Sequence, residues 1–342
     1  MPIIHFVFQE RMTTMMRDHY VFSNGRLKRK DNTIYFENEE GQKKPLPIEK
    51  IQTLHLFGEI DVNTKLLTYL SQYGITLQFY NYYGFFTGAF NPRDAKESGH
   101  VIVKQSEHYS DRYKRLYIAY QFLNGAVHHM LRNLRNYKEG TAEYIEGIQL
   151  LFSQLHTSTT IPELMGREGQ IRHLYYQSFN HIFKQDFVFE KREKQPPRDP
   201  INALISFGNT LMYRVVLTEI YKTSLNPTIS YLHEPSTKRF SLSLDIAEIF
   251  KPLIVDPIIF SLVNRRQISK KHFDYLEGEI CYLNEEGKKK FITAWEEKLN
   301  QSVKHRMLKR NTTYRYLIRL ECYKLIKHVI GDDVYKPLKA WW

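Results

Sequence analysis

The feature that most constrains the fold is a change of period at Asn91-Pro92-Arg93-Asp94. Before that turn cluster, apolar residues recur on alternate positions. From Val101 onward they recur about every 3.6 residues. A strand pattern and a helix pattern cannot share one repeating unit, so the chain should build two cores in series. We expect an α+β architecture: an N-terminal β-sandwich over residues 18–90, a linker over 91–100, and a larger all-α domain over 101–342. The length of 342 residues suffices for two such cores.

The first part reads as strands with one short helix. Tyr20-Val21-Phe22 runs into Ser23-Asn24-Gly25, a hairpin-type turn signal. Thr33-Ile34-Tyr35-Phe36, Ile51 to Phe57 and Ile75 to Tyr80 read as strands, and Glu39-Glu40-Gly41 as a turn. Asn63 to Gln72 reads as a helix capped at Asn63 and closed by Gly74. No cluster of acids with histidine is expected here, so packing and dimerisation are its expected roles. Residues 1–17, with Met12, Met15 and Met16, are expected to be an extension ahead of the domain. Ile3 to Phe8 is too short for a signal peptide.

In the second part, Ile201 to Tyr221 is apolar around nearly its whole circumference, which predicts the central helix of a bundle. Its Gly208 permits close helix approach. Pro162 is expected to end a loop, with the next helix carrying Glu168 near its start. Pro252 and Pro257 should interrupt an apolar helix, and Tyr314 to Ile330 should form the last one. Trp341 and Trp342 end a tail that should dock.

Lys and Arg total 49 against 37 Asp and Glu, a net charge of +12. A polyanionic partner fits that balance, nucleic acid before acidic membrane, although a basic solvated surface gives the same count. Cys281 and Cys322 stand far apart with no metal spacing, which suits a reducing cytoplasm. No apolar run reaches the roughly 18 residues a membrane span needs.

Acids and one histidine lie on segments that otherwise read as buried. Asp245 and Glu248, three apart, share a helix face. His233 sits just before that helix, and Glu168 comes from a distant one. One imidazole among carboxylates suits Mg2+ or Mn2+ better than Zn2+. The competing reading is a set of helix caps, surface acids and structural ion pairs, and spacing alone leaves both open. His55, His128 and His129 lack ligand partners at useful offsets. There is no nucleophile elbow, phosphate loop, dinucleotide-binding turn or zinc spacing.

Several long motifs, in order, carry a resemblance. They are Tyr20-Val21-Phe22-Ser23-Asn24-Gly25-Arg26-Leu27, Asp31-Asn32-Thr33-Ile34 and Leu56-Phe57-Gly58-Glu59, then Gly166-Arg167-Glu168-Gly169, Arg198-Asp199-Pro200 to Gly208, Leu232-His233-Glu234, and Ser241 to Pro252. From about Asp18 to Trp342 the chain resembles the CRISPR-associated endonuclease-integrase family of spacer acquisition, in the subgroup accompanying type I systems. The resemblance implies an N-terminal β-domain, a helical catalytic domain, and a metal-dependent DNase and integrase acting in antiviral defence. It implies Glu168, His233 and Glu248 as ligands of Mg2+ or Mn2+, with Asp245 as a supporting acid of the catalytic set. It implies double-stranded DNA (spacer precursor and CRISPR repeat), a second copy of the chain, and a small ferredoxin-like adaptation protein as partners. Lys251 stands where the family often has Arg, and Asn209 follows Gly208 where Tyr is common.

The implied reaction is attack of a DNA 3′-hydroxyl on a phosphodiester at the repeat boundary; water in its place gives cleavage. Arg198, Arg239, Lys251, Arg265 and Arg266 are candidate backbone contacts by proximity in sequence, against a solvated-surface role for each. The rival expectations are a catalytically silent DNA-binding scaffold and a structural RNA-binding helical protein.

Overall fold

The computed structural model describes residues 17–92, 97–137, 140–184, 187, 189–193, 196–236, 240–276, 280–305 and 308–342. The chain divides into two units, Met1–Arg93 and Asp94–Trp342.

The first unit holds β1 (Arg17–Val21), β2 (Gly25–Lys30), β3 (Thr33–Asn38), β4 (Lys43–Leu46), β5 (Ile51–Leu56), β6 (Ile60–Asp61), α1 (Thr64–Gln72), β7 (Thr76–Tyr80) and β8 (Phe86–Phe90). They form two four-stranded sheets, ordered β1-β5-β7-β8 and β4-β3-β2-β6. Leu27, Ile34 and Leu46 of one sheet meet Leu54, Leu56 and Leu77 of the other in one core, with Leu66, Tyr69 and Leu70 of α1. The alternation read from the sequence is what places these residues on facing surfaces. Helix α1 starts where Asn63 accepts from the Leu66 N–H at 2.9 Å, and stops before Gly74, whose φ is +66°.

Two expectations fail in this unit. Ser23-Asn24-Gly25 is not a hairpin turn. There the chain leaves β1, which pairs in parallel with β5, and enters β2, which belongs to the other sheet. Gly25 is needed because a Cβ would lie 2.2 Å from the Glu37 carbonyl oxygen, at a φ of +153°. The two-residue hairpin lies instead at Asp31-Asn32, with Lys30 opposite Thr33 and Asp31 at a φ of +53°. The second failure is a buried acid–histidine pair. Asp18 Oδ2 lies 3.3 Å from His55 Nε2, and His55 Nδ1 lies 2.9 Å from the Tyr80 hydroxyl. Parallel β1–β5 pairing brings Asp18 and His55 together across 37 residues, which no local spacing reveals.

The second unit is mostly helical: α2 (Gly99–Ser110), α3 (Arg112–Arg135), α4 (Ala142–Gln154), α5 (Ile161–Gln177), α6 (Phe179–Ile182), α7 (Pro200–Tyr221), α8 (Ser241–Phe250), α9 (Asp256–Asn264), α10 (Glu285–Asn300) and α11 (Tyr314–Val329). It also carries two short antiparallel pairs that the all-helical expectation lacked. These are β9 (Phe273–Leu276) with β10 (Ile280–Leu283), and β11 (Ser302–His305) with β12 (Arg310–Thr313). Four-residue strands in Lys-rich surroundings give too little alternation to read.

Helix α7 is the central helix expected. Asp199 caps it, accepting from the Asn202 N–H at 2.8 Å, and Pro200 opens it. At Gly208 a Cβ would stand 2.5 Å from Val255 Cγ1, so α7 and the segment after α8 touch along that side. Helix α5 begins one residue before Pro162, a position that favours proline. Glu168 therefore sits mid-helix, where the sequence reading had put it near the start.

Helix α8 buries Leu242, Ile246, Ile249 and Phe250 completely. Each contributes about 1.5–3 kcal/mol, enough to fix the position of the acids on the same helix. A π-helical turn, Lys251–Val255, joins α8 to α9 and contains Pro252, while Pro257 lies in the first turn of α9. The tail docks, but through one of its two tryptophans: Tyr117 donates to the Tyr335 carbonyl at 2.8 Å and Trp342 Nε1 donates to the Tyr314 hydroxyl at 2.8 Å, while Trp341 stays 48% exposed. Among the described residues no helix is long and apolar enough to cross a membrane.

Candidate active site

Asp245 projects from α8 into the loop that carries His233, and both its oxygens are fully engaged. Oδ2 accepts from the Tyr231 N–H at 2.6 Å and the Leu232 N–H at 2.9 Å. Oδ1 accepts from the His233 N–H at 3.0 Å and from His233 Nδ1 at 2.7 Å. A carboxylate facing Nδ1 fixes the proton there and leaves the Nε2 lone pair to act as a ligand or base. Ser230 closes the same loop, 2.6 Å from the His233 carbonyl and 2.8 Å from the Ser241 hydroxyl at the start of α8.

One turn further along α8, Glu248 meets α5. Arg172, four residues after Glu168, forms ion pairs with both Glu168 and Glu248. Lys251 Nζ approaches the other Glu248 oxygen at 2.7 Å. That lysine is buried and sits 4.8 Å from the centre of the Tyr213 ring. Burial holds its pKa below the usual lysine value. Two sets of contacts thus meet on α8: Glu168 through Arg172 to Glu248, and His233 to Asp245 one turn earlier on the same helix. Together they join three segments far apart in sequence.

The other sequence candidates fare differently. Arg198, Arg265 and Arg266 are exposed and take no part in these contacts. Arg239 lies outside the described residues. Lys251 is not on the surface but inside the site, paired to Glu248. Glu234, next to His233, turns away to Arg115 at 2.6 Å and the Tyr109 hydroxyl at 3.0 Å.

A family model for "CRISPR associated protein Cas1" matches residues 19–297. The chain belongs to the Cas1 family. The CRISPR-associated endonuclease Cas1 3 of Thermodesulfovibrio yellowstonii is 58% identical over 327 residues, covering 96% of this chain and all of that protein. The CRISPR-associated endonuclease Cas1 of Clostridium perfringens is 59% identical over 331 residues, again covering 96% of this chain and all of that protein. Among solved structures, the Cas1 protein TM1797 of Thermotoga maritima superposes with a TM-score of 0.86 at 40% identity, covering 94% of this chain and all of that one. The mixed fold, strands first and then a mostly helical unit, is therefore that of a Cas1 protein, and membership places the chain among CRISPR-associated endonucleases.

The donor chemistry of this Cas1 site fits a divalent ion. Two carboxylates and one imidazole with a fixed tautomer are an oxygen-rich set suited to Mg2+ or Mn2+. Among the described residues, no three His, Cys, Asp or Glu side chains stand close enough together to hold an ion as they are. Arg172 pairs with both glutamates and bridges them.

Sequence reasoning missed the residues that support Glu248 from behind. His129 and Asn133 lie four apart on one face of α3. His129 Nδ1 lies 2.9 Å from the Ile249 carbonyl, and Asn133 Nδ2 donates to the Pro252 carbonyl at 2.6 Å. These carbonyls flank the switch from α to π winding, where Pro252 has no N–H and the regular ladder is interrupted. His129 Nε2 accepts from the Ala340 N–H at 3.0 Å, so the docked tail braces the same point. Burial lowers the His129 pKa to about 3, so it is neutral with its proton on Nδ1. Behind Asn133, Tyr175 donates to Asp256 at 2.9 Å. The one signal available beforehand was polar residues at i and i+4 on an apolar helix.

Proposed function

We propose that this Cas1 chain is a divalent-metal-dependent DNA endonuclease and integrase. In this reading it inserts spacer DNA into a CRISPR array by 3′-hydroxyl attack on a phosphodiester. The observation that carries it is that Arg172 joins Glu168 to Glu248 on α8, the helix whose Asp245 fixes the tautomer of His233. Glu168, His233 and Glu248 would hold Mg2+ or Mn2+. When bound, such an ion supplies positive charge that stabilises the oxyanions of an in-line phosphoryl transfer. Asp245 keeps the proton on His233 Nδ1 and holds the loop in place. His129 and Asn133 keep the end of α8 from shifting. The net charge of +12 supports binding to a DNA backbone, with affinity that falls as salt rises.

The same reading assigns homodimerisation to the first unit, and names a small ferredoxin-like adaptation protein as partner and the cytoplasm as compartment. Support for these comes from the family resemblance. The decisive experiment is strand transfer and cleavage on supercoiled plasmid with Mn2+, with EDTA, and with His233→Ala. Loss in both of the latter, with DNA binding kept, is expected. Activity in EDTA, or full activity of His233→Ala, would sink the assignment. A silent DNA-binding scaffold would bind the plasmid without any turnover under all three conditions.

A further inference from the structure

Arg172 belongs to no motif singled out in the sequence, yet it touches two of the three candidate ligands. Its Nε is paired with Glu168 on α5 and its terminal nitrogen with Glu248 on α8. Both Glu248 oxygens are engaged: one faces Arg172 and the other faces Lys251. Two negative charges are thus matched by two positive ones in a largely buried place. A divalent ion added to that balance would leave two uncompensated charges away from water, which is costly. One resident cation has to give way. Lys251 is poorly suited to leave, being 9% exposed and held against the Tyr213 ring. The Arg172 side chain, at 17% exposed, is the more accessible of the two cations.

We propose that Arg172 is the positioning counter-ion of the site, holding Glu168 and Glu248 together in the metal-free protein and withdrawing from Glu248 when a divalent cation binds. The inference rests on the metal-dependent reading given above. It explains why two acids on different helices tolerate each other before the ion arrives.

The test uses the full chain, Mn2+ alone as probe, and no DNA. Free Mn2+ is counted by its paramagnetic resonance signal for the wild type, Arg172→Gln, Arg172→Lys and His233→Ala. With the competitor removed, Arg172→Gln should bind Mn2+ about tenfold tighter, the lower end of what a close charge pair contributes. Its melting temperature should fall without metal and recover on adding Mn2+. Should Arg172→Gln fail to fold, Arg172→Lys carries the test. A lysine keeps the charge but lacks the rigid planar fork that holds both carboxylates, so binding about threefold tighter is expected. Unchanged or weaker Mn2+ binding in the variant that folds overturns the proposal while leaving the metal reading standing. A wild type that binds no Mn2+, or His233→Ala that binds it equally well, overturns both together.

Discussion

Asp245 and Glu248 stand one turn apart on the same helix, both almost inaccessible to water, and they are held in opposite ways. Asp245 is held by N–H groups, three from the backbone and one from an imidazole. Backbone donors cannot leave without unfolding the loop. Glu248 is held by two side-chain cations, Arg172 and Lys251, whose rotamers can change without unfolding the backbone. The first acid is a fixture of the fold, and the second is exchangeable. A ligand must be able to trade its partner for an ion, and an anchor must not. Spacing on the helix could not distinguish the two, but their partners do.

The comparison is broken or sharpened first at Asp245. Asp245→Ala strands three backbone N–H groups in a buried loop and should cost about 3–5 kcal/mol, read from the urea midpoint. Glu248→Gln should cost far less stability, yet abolish Mn2+ binding. Equal losses of stability would erase the distinction between anchor and ligand.

The same contrast recurs in a second pair of buried acids, where it can be read through pH. Burial alone would raise Glu219, but Lys222 and Arg319 beside it bring its pKa down from 4.5 to about 2. Burial raises Asp256 from 3.8 to about 7, a rise that the Tyr175 hydrogen bond opposes and does not cancel. Glu219 therefore contributes stability that is present above pH 4.5 and lost as pH falls towards 2. For Asp256 the sign reverses. The native state keeps a proton that the unfolded chain gives up, so stability is lost as pH rises from about 4 through 7. The size is on the order of 4 kcal/mol. Asp256→Asn should match the wild type near pH 3, below both pKa values, and exceed it by a growing margin up to pH 8 in urea denaturation. A variant that runs parallel to the wild type across that range would show Asp256 to be ionised throughout.

How far the sequence reached follows from the range of the interactions. The change of period at Asn91 to Asp94 is local, and so are the caps at Asn63 and Asp199, so the α+β order and several helix ends were legible. The pairing of β1 with β5 is not local, so Asp18 and His55 were missed and Asn24-Gly25 was misread as a hairpin. Of the residues the sequence offers for the site, Asp245 and Glu248 share α8, His233 pairs with the first and Glu168 reaches the second through Arg172. Arg172 was hidden because a mid-helix arginine is usually solvated. Its meaning comes only from Glu248, 76 residues away. Lys251 was read as surface, since nothing in its spacing shows the Tyr213 ring that covers it.

Behind the exchangeable acid stands the brace on α3. His129→Phe fills the same space but removes the donor to the Ile249 carbonyl and the acceptor for the Ala340 N–H. About 2 kcal/mol of stability should go, together with several-fold weaker Mn2+ binding as the end of α8 relaxes. A loss of stability with Mn2+ affinity untouched would show that Glu248 is held by its own cations and owes nothing to α3.

The smallest effect belongs to Glu234, which the sequence sets beside His233 and the structure sets apart. Its pair with Arg115 lies at the surface, with the carboxylate 64% exposed. A pair of that kind contributes about 0.2–1 kcal/mol and less at high salt. Glu234→Ala should therefore shift the urea midpoint barely at all and leave Mn2+ binding and strand transfer at wild-type levels. The position is informative because the Asp245 hydrogen bonds end at His233. If Glu234→Ala cut Mn2+ affinity tenfold, the loop would be held from its exposed side as well. Asp245 would then be one of two anchors, and the boundary between fixture and ligand would move out to Arg115.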